Sequence, residues 1–155
     1  MKKATIFIFL TISFLSLKSR SQSIDSTWSN VPGNEFYIRY SPIDYLRVLE
    51  EDFKDKKRIN VFVLSASPTN WVRKEHIDWL MKLIDKTDST RSIMNSSSSY
   101  MSTDKYSSIG REAQNLIDCF RYKSNYPNFL NSFGPPDKLK VKELRDWWNT
   151  YKLMK

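Results

Sequence analysis

Apolar residues recur at three- and four-residue spacing in four stretches of this chain, and each stretch predicts an amphipathic helix. The first opens at Ser41-Pro42, where serine suits the N-cap and proline the first helical position. Ile43, Leu46, Leu49 and Phe53 then share a face, and the helix is expected to end near Lys57. The second runs from about Lys74 to Lys86 with Ile77, Leu80, Met81 and Ile84 on one side. The third has the clearest stripe: Ser107 or Ser108 caps it, Glu112 falls in its first turn, and Ile109, Ala113, Leu116, Ile117 and Phe120 face one way. Asp137 caps the fourth, whose inner stripe is Val141, Leu144, Trp148 and Tyr151.

The intervening segments read differently. Ile59 to Leu64 is short, β-branched and apolar on both sides, which favours a buried strand over a helical turn. Phe36 to Tyr40 suggests a short strand or an extended arm. Asp88 to Asp104 is polar and carries Ser96-Ser97-Ser98-Ser99, so a long loop is expected, with Ile93 and Met94 turned inward. Together these elements predict a mainly α fold, a small helical bundle or a short helical-repeat-like stack with one strand or extended segment. The alternative is α+β.

The first residues change the expected location. Lys2 and Lys3 precede an apolar, uncharged run from Ala4 to Leu17, followed by Ser19, Ser21 and Ser23. That is the layout of a secretory signal peptide, and the run is short for a membrane span. The expected organisation is therefore a signal peptide at 1–21, a poorly defined arm at 22–40 and one helical domain at 41–155, with the mature protein in the periplasm or outside the cell. No stable membrane span is expected after cleavage, although an uncleaved anchor is the other form such a segment takes.

Charge and cysteine usage follow from that reading. The formal net charge is +8, but cleavage would remove Lys2, Lys3, Lys18 and Arg20 with no acid, halving it. The remaining positive charge is ordinary for a soluble domain, so no nucleic-acid partner is expected. The single cysteine, Cys119, cannot form an intramolecular disulfide and reads as a small buried hydrophobe.

Candidate chemistry is sparse. His76 is the only histidine, which leaves a metal site short of its usual ligands and a serine triad with one possible base. No Gly-x-Ser-x-Gly elbow occurs, and Gly33, Gly110 and Gly134 are too far apart for a phosphate loop. No catalytic, cofactor-binding or metal-binding residue is assigned, and no cofactor is expected. The surplus is aromatic: Trp28, Trp71, Trp79, Trp147 and Trp148 accompany many tyrosines. Trp147 and Trp148 lie about 100° apart on a helix, so Trp148 is expected in the core and Trp147 at its border. Trp147, with Trp79, is the candidate partner contact, because tryptophan is favoured at interface hot spots.

The residues Trp71-Val72, His76 to Ile84, Ser97-Ser98, Ile109 to Ala113, Leu116-Ile117, Tyr126-Pro127 and Trp147-Trp148 carry a resemblance to a group of uncharacterised exported bacterial proteins. It spans about residues 71–151, with Gly110 beside the helix cap and the closing tryptophan pair as its most specific elements. It implies export but no activity. More loosely, the chain is similar to immunity-type proteins that guard bacteria against toxins acting in the periplasm. The expected function is an exported, non-enzymatic protein-interaction module whose partner is a protein toxin or another exported protein. The alternatives are a glycan- or cell-wall-binding module using exposed tryptophans and, third, a small hydrolase.

Overall fold

The computed structural model describes residues 33–54, 61–99 and 105–154. The expected leader at 1–21, most of the arm, the end of the first expected helix near Lys57 and the start of the expected strand at Ile59 lie outside the described residues. The elements run α1 (Gly33–Arg39), α2 (Pro42–Asp52), β1 (Val61–Leu64), α3 (Lys74–Leu80), β2 (Ser89–Asn95), β3 (Tyr106–Ser108), α4 (Ile109–Tyr122), β4 (Asn131–Ser132) and α5 (Lys138–Leu153).

The fold is α+β, which overturns the mainly α expectation. Its centre is a mixed four-stranded sheet. β2 pairs in parallel with β1, Val61 to Leu64 lying against Ser92 to Asn95. It also pairs antiparallel with β3 over Ser89 to Arg91 and with β4 over Ile93 and Met94. The strand on which the sheet depends is therefore the segment that reads as a polar loop. Its hydropathy misleads because buried polar side chains are tolerated where each finds a partner. Thr90 is fully buried and donates to the Leu49 carbonyl at 3.3 Å. Arg91 is buried and ion-paired with the buried Asp52 of α2, and it also donates to the Asp52 carbonyl at 3.1 Å. Ile93 and Met94 do turn inward, but as strand residues.

Phe36 to Tyr40 is not a strand or an extended arm. It falls in and just after α1, whose Phe36 and Tyr37 enter the main apolar cluster. α2 begins with a capping box: the Ser41 hydroxyl accepts from the Asp44 amide at 3.2 Å, and the Ser41 amide donates to the Asp44 carboxylate at 3.3 Å. α3 is shorter than expected and continues as turns, yet Ile77, Leu80 and Ile84 are all fully buried. Ser108 caps α4, accepting from the Arg111 amide at 3.2 Å, and Ile109, Ala113, Leu116 and Ile117 form its inner face. Asp137 caps α5 through the amides of Leu139 and Lys140. Gln114 joins the two last helices to the α3 side. Its fully buried amide donates to the carbonyls of Ile84 and Asp137 and accepts from the Asp137 amide.

Gly110 permits a close approach. A Cβ at that position would lie 2.5 Å from the Lys86 carbonyl oxygen and 2.9 Å from the Lys86 nitrogen, both backbone atoms. The Gly110 amide itself donates to that carbonyl at 2.9 Å. The start of α4 is thereby seated on the turn that follows α3.

Candidate functional site

Three segments converge on a cavity of about 410 Å³ lined by the loop at 69–73 with the first residue of α3, the end of α4 and the last turns of α5. The loop is held from beneath. Trp71 is buried, its ring packs at 4.8 Å from that of Tyr37, and its indole N–H donates to the Tyr40 carbonyl at 2.9 Å. With Trp71 fixed inward, Thr69, Asn70, Val72, Arg73 and Lys74 form one wall.

The end of α4 supplies Phe120, Arg121 and Lys123. Lys123 closes the helix in the left-handed conformation at φ 50°, its amide bonding back to the last turn. α5 supplies Trp147 and Tyr151, four residues apart and so on one face. Their neighbour Trp148 anchors them: it is buried, its indole N–H donates to the Asp78 carboxylate at 2.7 Å, and Tyr151 stacks on it at 5.3 Å. Trp147 is half-buried at the border of the core, with Phe120 edge-on at 6.3 Å and Tyr151 tilted at 5.6 Å.

The cavity is electropositive. Arg73, Lys74, Arg121 and Lys123 contribute to its lining, and none of its lining side chains is acidic. Two of these cations have carboxylate partners, and the Lys74 ammonium lies 6.0 Å from the Tyr151 ring centre. Arg73 lies 3.8 Å from Glu75, and Arg121 is paired with Glu143 while its guanidinium sits 5.5 Å from the Trp147 ring centre. Lys74 and Lys123 are exposed and form no ion pair with a described residue.

The two tryptophans singled out by the sequence are not brought together here. Trp147 is a wall of the cavity, whereas Trp79 packs half-buried against the core and does not line it. Sequence reasoning missed the rest. Phe120 and Tyr151 read as members of inner stripes, but both sit at the ends of their stripes, where burial gives way to solvent. The cations were scattered along the chain, and only the fold collects them.

Other titratable groups have structural surroundings. Glu112 is fully buried and receives hydroxyl bonds from Ser107 at 2.5 Å, Ser132 at 2.6 Å and Tyr126 at 2.6 Å. Burial pushes its carboxyl above the usual range against the pull of those donors. His76 sits near the start of α3 and its Nδ1 accepts from the Arg73 amide at 3.0 Å. Burial lowers its pKa, opposed in part by Glu75, which agrees with a ring nitrogen that accepts. Cys119 is buried, and burial pushes its thiol up to about 12. Among the described residues, no group of three His, Cys, Asp or Glu side chains is arranged to hold a metal ion, and no helix is long and apolar enough to cross a membrane.

No family model matches the chain, and no similar curated protein or solved structure was found, so the cavity is interpreted from its own geometry.

Proposed function

We propose that this chain is an exported, non-enzymatic protein-interaction module that contacts its partner through the cavity bordered by Trp147. The observation that carries this reading is the combination of walls: Val72, Phe120, Trp147 and Tyr151 around an opening whose charged lining is all basic. Aromatic and arginine side chains on rigid elements are the groups most often responsible for interface affinity. Capped helices and the Trp148–Asp78 anchor hold these side chains in place, so little ordering is left to offset binding.

A glycan platform is less well supported by the same residues. Stacking on a sugar needs an open aromatic face, and Trp147 is half-buried among Phe120, Trp148, Tyr151 and the Arg121 guanidinium.

The test is photo-crosslinking in the native host, with a cross-linking amino acid placed at Lys123 and, as a control, at Lys54 outside the cavity. The expected result is one protein captured from position 123, absent from position 54 and lost when Trp147→Ala is added. Capture of the same protein from both positions, or capture indifferent to Trp147, would overturn the reading. A toxin as the captured protein would make this chain an immunity-type inhibitor.

A further inference from the structure

The chemistry of the cavity narrows the partner further. Its volume, about 410 Å³, lies at the low end of ligand sites and is far too small for a folded surface to enter. It suits one large side chain with the backbone on either side. The floor for such a side chain is apolar and aromatic, from Val72, Phe120 and Trp147. At the rim, Arg73 and Arg121 already have carboxylate partners in Glu75 and Glu143, so they are charge-balanced. Lys74 and Lys123 have no carboxylate partner among the described residues, and they come from two different walls. An occupant with carboxylates on either side of an apolar residue would satisfy both lysines and leave no buried charge unpaired. A basic or neutral occupant would leave both lysine charges at the lining without a partner on the occupant.

We infer that the cavity takes a short acidic peptide segment of the partner, with one aromatic or long aliphatic side chain seated against Trp147 and Phe120 and flanking carboxylates on Lys74 and Lys123. This rests on the interaction reading above and specifies its ligand. The division of labour follows from elementary energetics. Exposed ion pairs add little affinity each and are screened by salt, so the apolar anchor supplies most of the binding. The lysines supply orientation, rate of encounter and discrimination against basic sequences.

The experiment is selection of a displayed library of random short peptides against the intact chain, with the Trp147→Ala chain as counter-selection. The expected consensus is an aromatic residue or leucine flanked by Asp or Glu. The enriched peptide should weaken by about tenfold or more against the Lys74→Glu, Lys123→Glu double variant, because each reversal turns an attraction into a repulsion. Both lysines are exposed, so this variant is expected to keep its fold. Its affinity should also fall as salt rises. A consensus without acidic residues, or affinity indifferent to the two reversals, would overturn the inference. So would failure to select any peptide while an oligosaccharide of uronic acids binds the wild-type chain and not the Trp147→Ala chain. If no acidic peptide is selected but the cross-linked protein is still captured at position 123, only the assignment of the ligand falls. Loss of both results removes the interaction reading as well.

Discussion

The Tyr126 hydroxyl donates to the Glu112 carboxylate at 2.6 Å, and both side chains are fully buried. The same hydroxyl lies 2.8 Å from that of Tyr45 on α2, and Ser107 and Ser132 donate to the other Glu112 oxygen. One carboxylate thus gathers groups from β3, β4 and the connection after α4. Removing it would take away the acceptor that three buried hydroxyls share, although Tyr126 would keep its contact with Tyr45 and Ser132 would still accept from Asn115. We expect Glu112→Ala to cost about 1–3 kcal/mol in urea unfolding, because a buried donor that loses its acceptor bears its desolvation penalty. A cost of a few tenths would mean that the network does not organise the core.

The same group sets a pH dependence. Its folded pKa is raised, with burial as the main cause. The folded chain then retains this proton at pH values where the unfolded chain, near the ordinary glutamate value of about 4.3, has lost it. Stability from this group is therefore present at low pH and declines as pH rises through the raised value. The advantage of wild type over Glu112→Gln should shrink as pH rises, measured by denaturation across the acidic to neutral range. An advantage that grows with pH would show the anion to be the favoured buried form.

Gly110→Ala should destabilise by about 1–3 kcal/mol, the range for overpacking. The added carbon would meet the Lys86 backbone at 2.5 Å, and backbone cannot swing aside as a side chain can. Thermal unfolding checks this. An unchanged or higher melting temperature would show that α4 does not need this seat on the turn after α3.

The adjacent tryptophans should separate in kind. Trp148→Ala removes a buried ring and its hydrogen bond to Asp78, and about 3–5 kcal/mol of stability is expected to go with it. Trp147→Ala should cost clearly less, since the side chain is only half-buried, while removing a cavity wall. Equal losses of stability would contradict the division between core and site.

Cys119 should resist alkylation in the native chain at mildly alkaline pH and react at the normal rate once the chain is unfolded. Its thiol is buried, donates to the Asn125 carbonyl at 3.3 Å and is pushed up to about 12, so little thiolate exists to react. Rapid labelling without unfolding would place it at an accessible surface.

How legible the chain was depended on how each element is stabilised. α2, α4 and α5 announce themselves because apolar stripes and caps are local signals, and Ser41, Ser108 and Asp137 all cap as their sequences suggest. Val61 to Leu64 is a strand, in keeping with its β-branched run, but not the buried strand expected, since Phe62 and Leu64 are buried while Val63 is exposed. β2 was hidden because its buried Thr90 and Arg91 are made tolerable by Leu49 and Asp52, residues some forty positions away. α1 was hidden because a short helix shows too few turns to establish a period. The candidate site was half visible. Trp147 stood out as the surplus member of an adjacent pair, but Lys74 and Lys123 come to line one cavity only when α3 and α4 are packed. Glu112 illustrates the same limit, since a first-turn acid ordinarily serves the helix dipole at the surface, and only the distant Ser132 and Tyr126 make it a core residue.

The central claim is that the wall containing Trp147 binds a partner. Its most direct test is the affinity of the protein cross-linked at position 123 for the wild-type and Trp147→Ala chains, compared under conditions where both are folded. A weakening of about tenfold or more is predicted, the loss expected when an anchoring aromatic is truncated. Equal affinity for the two folded chains would contradict the account.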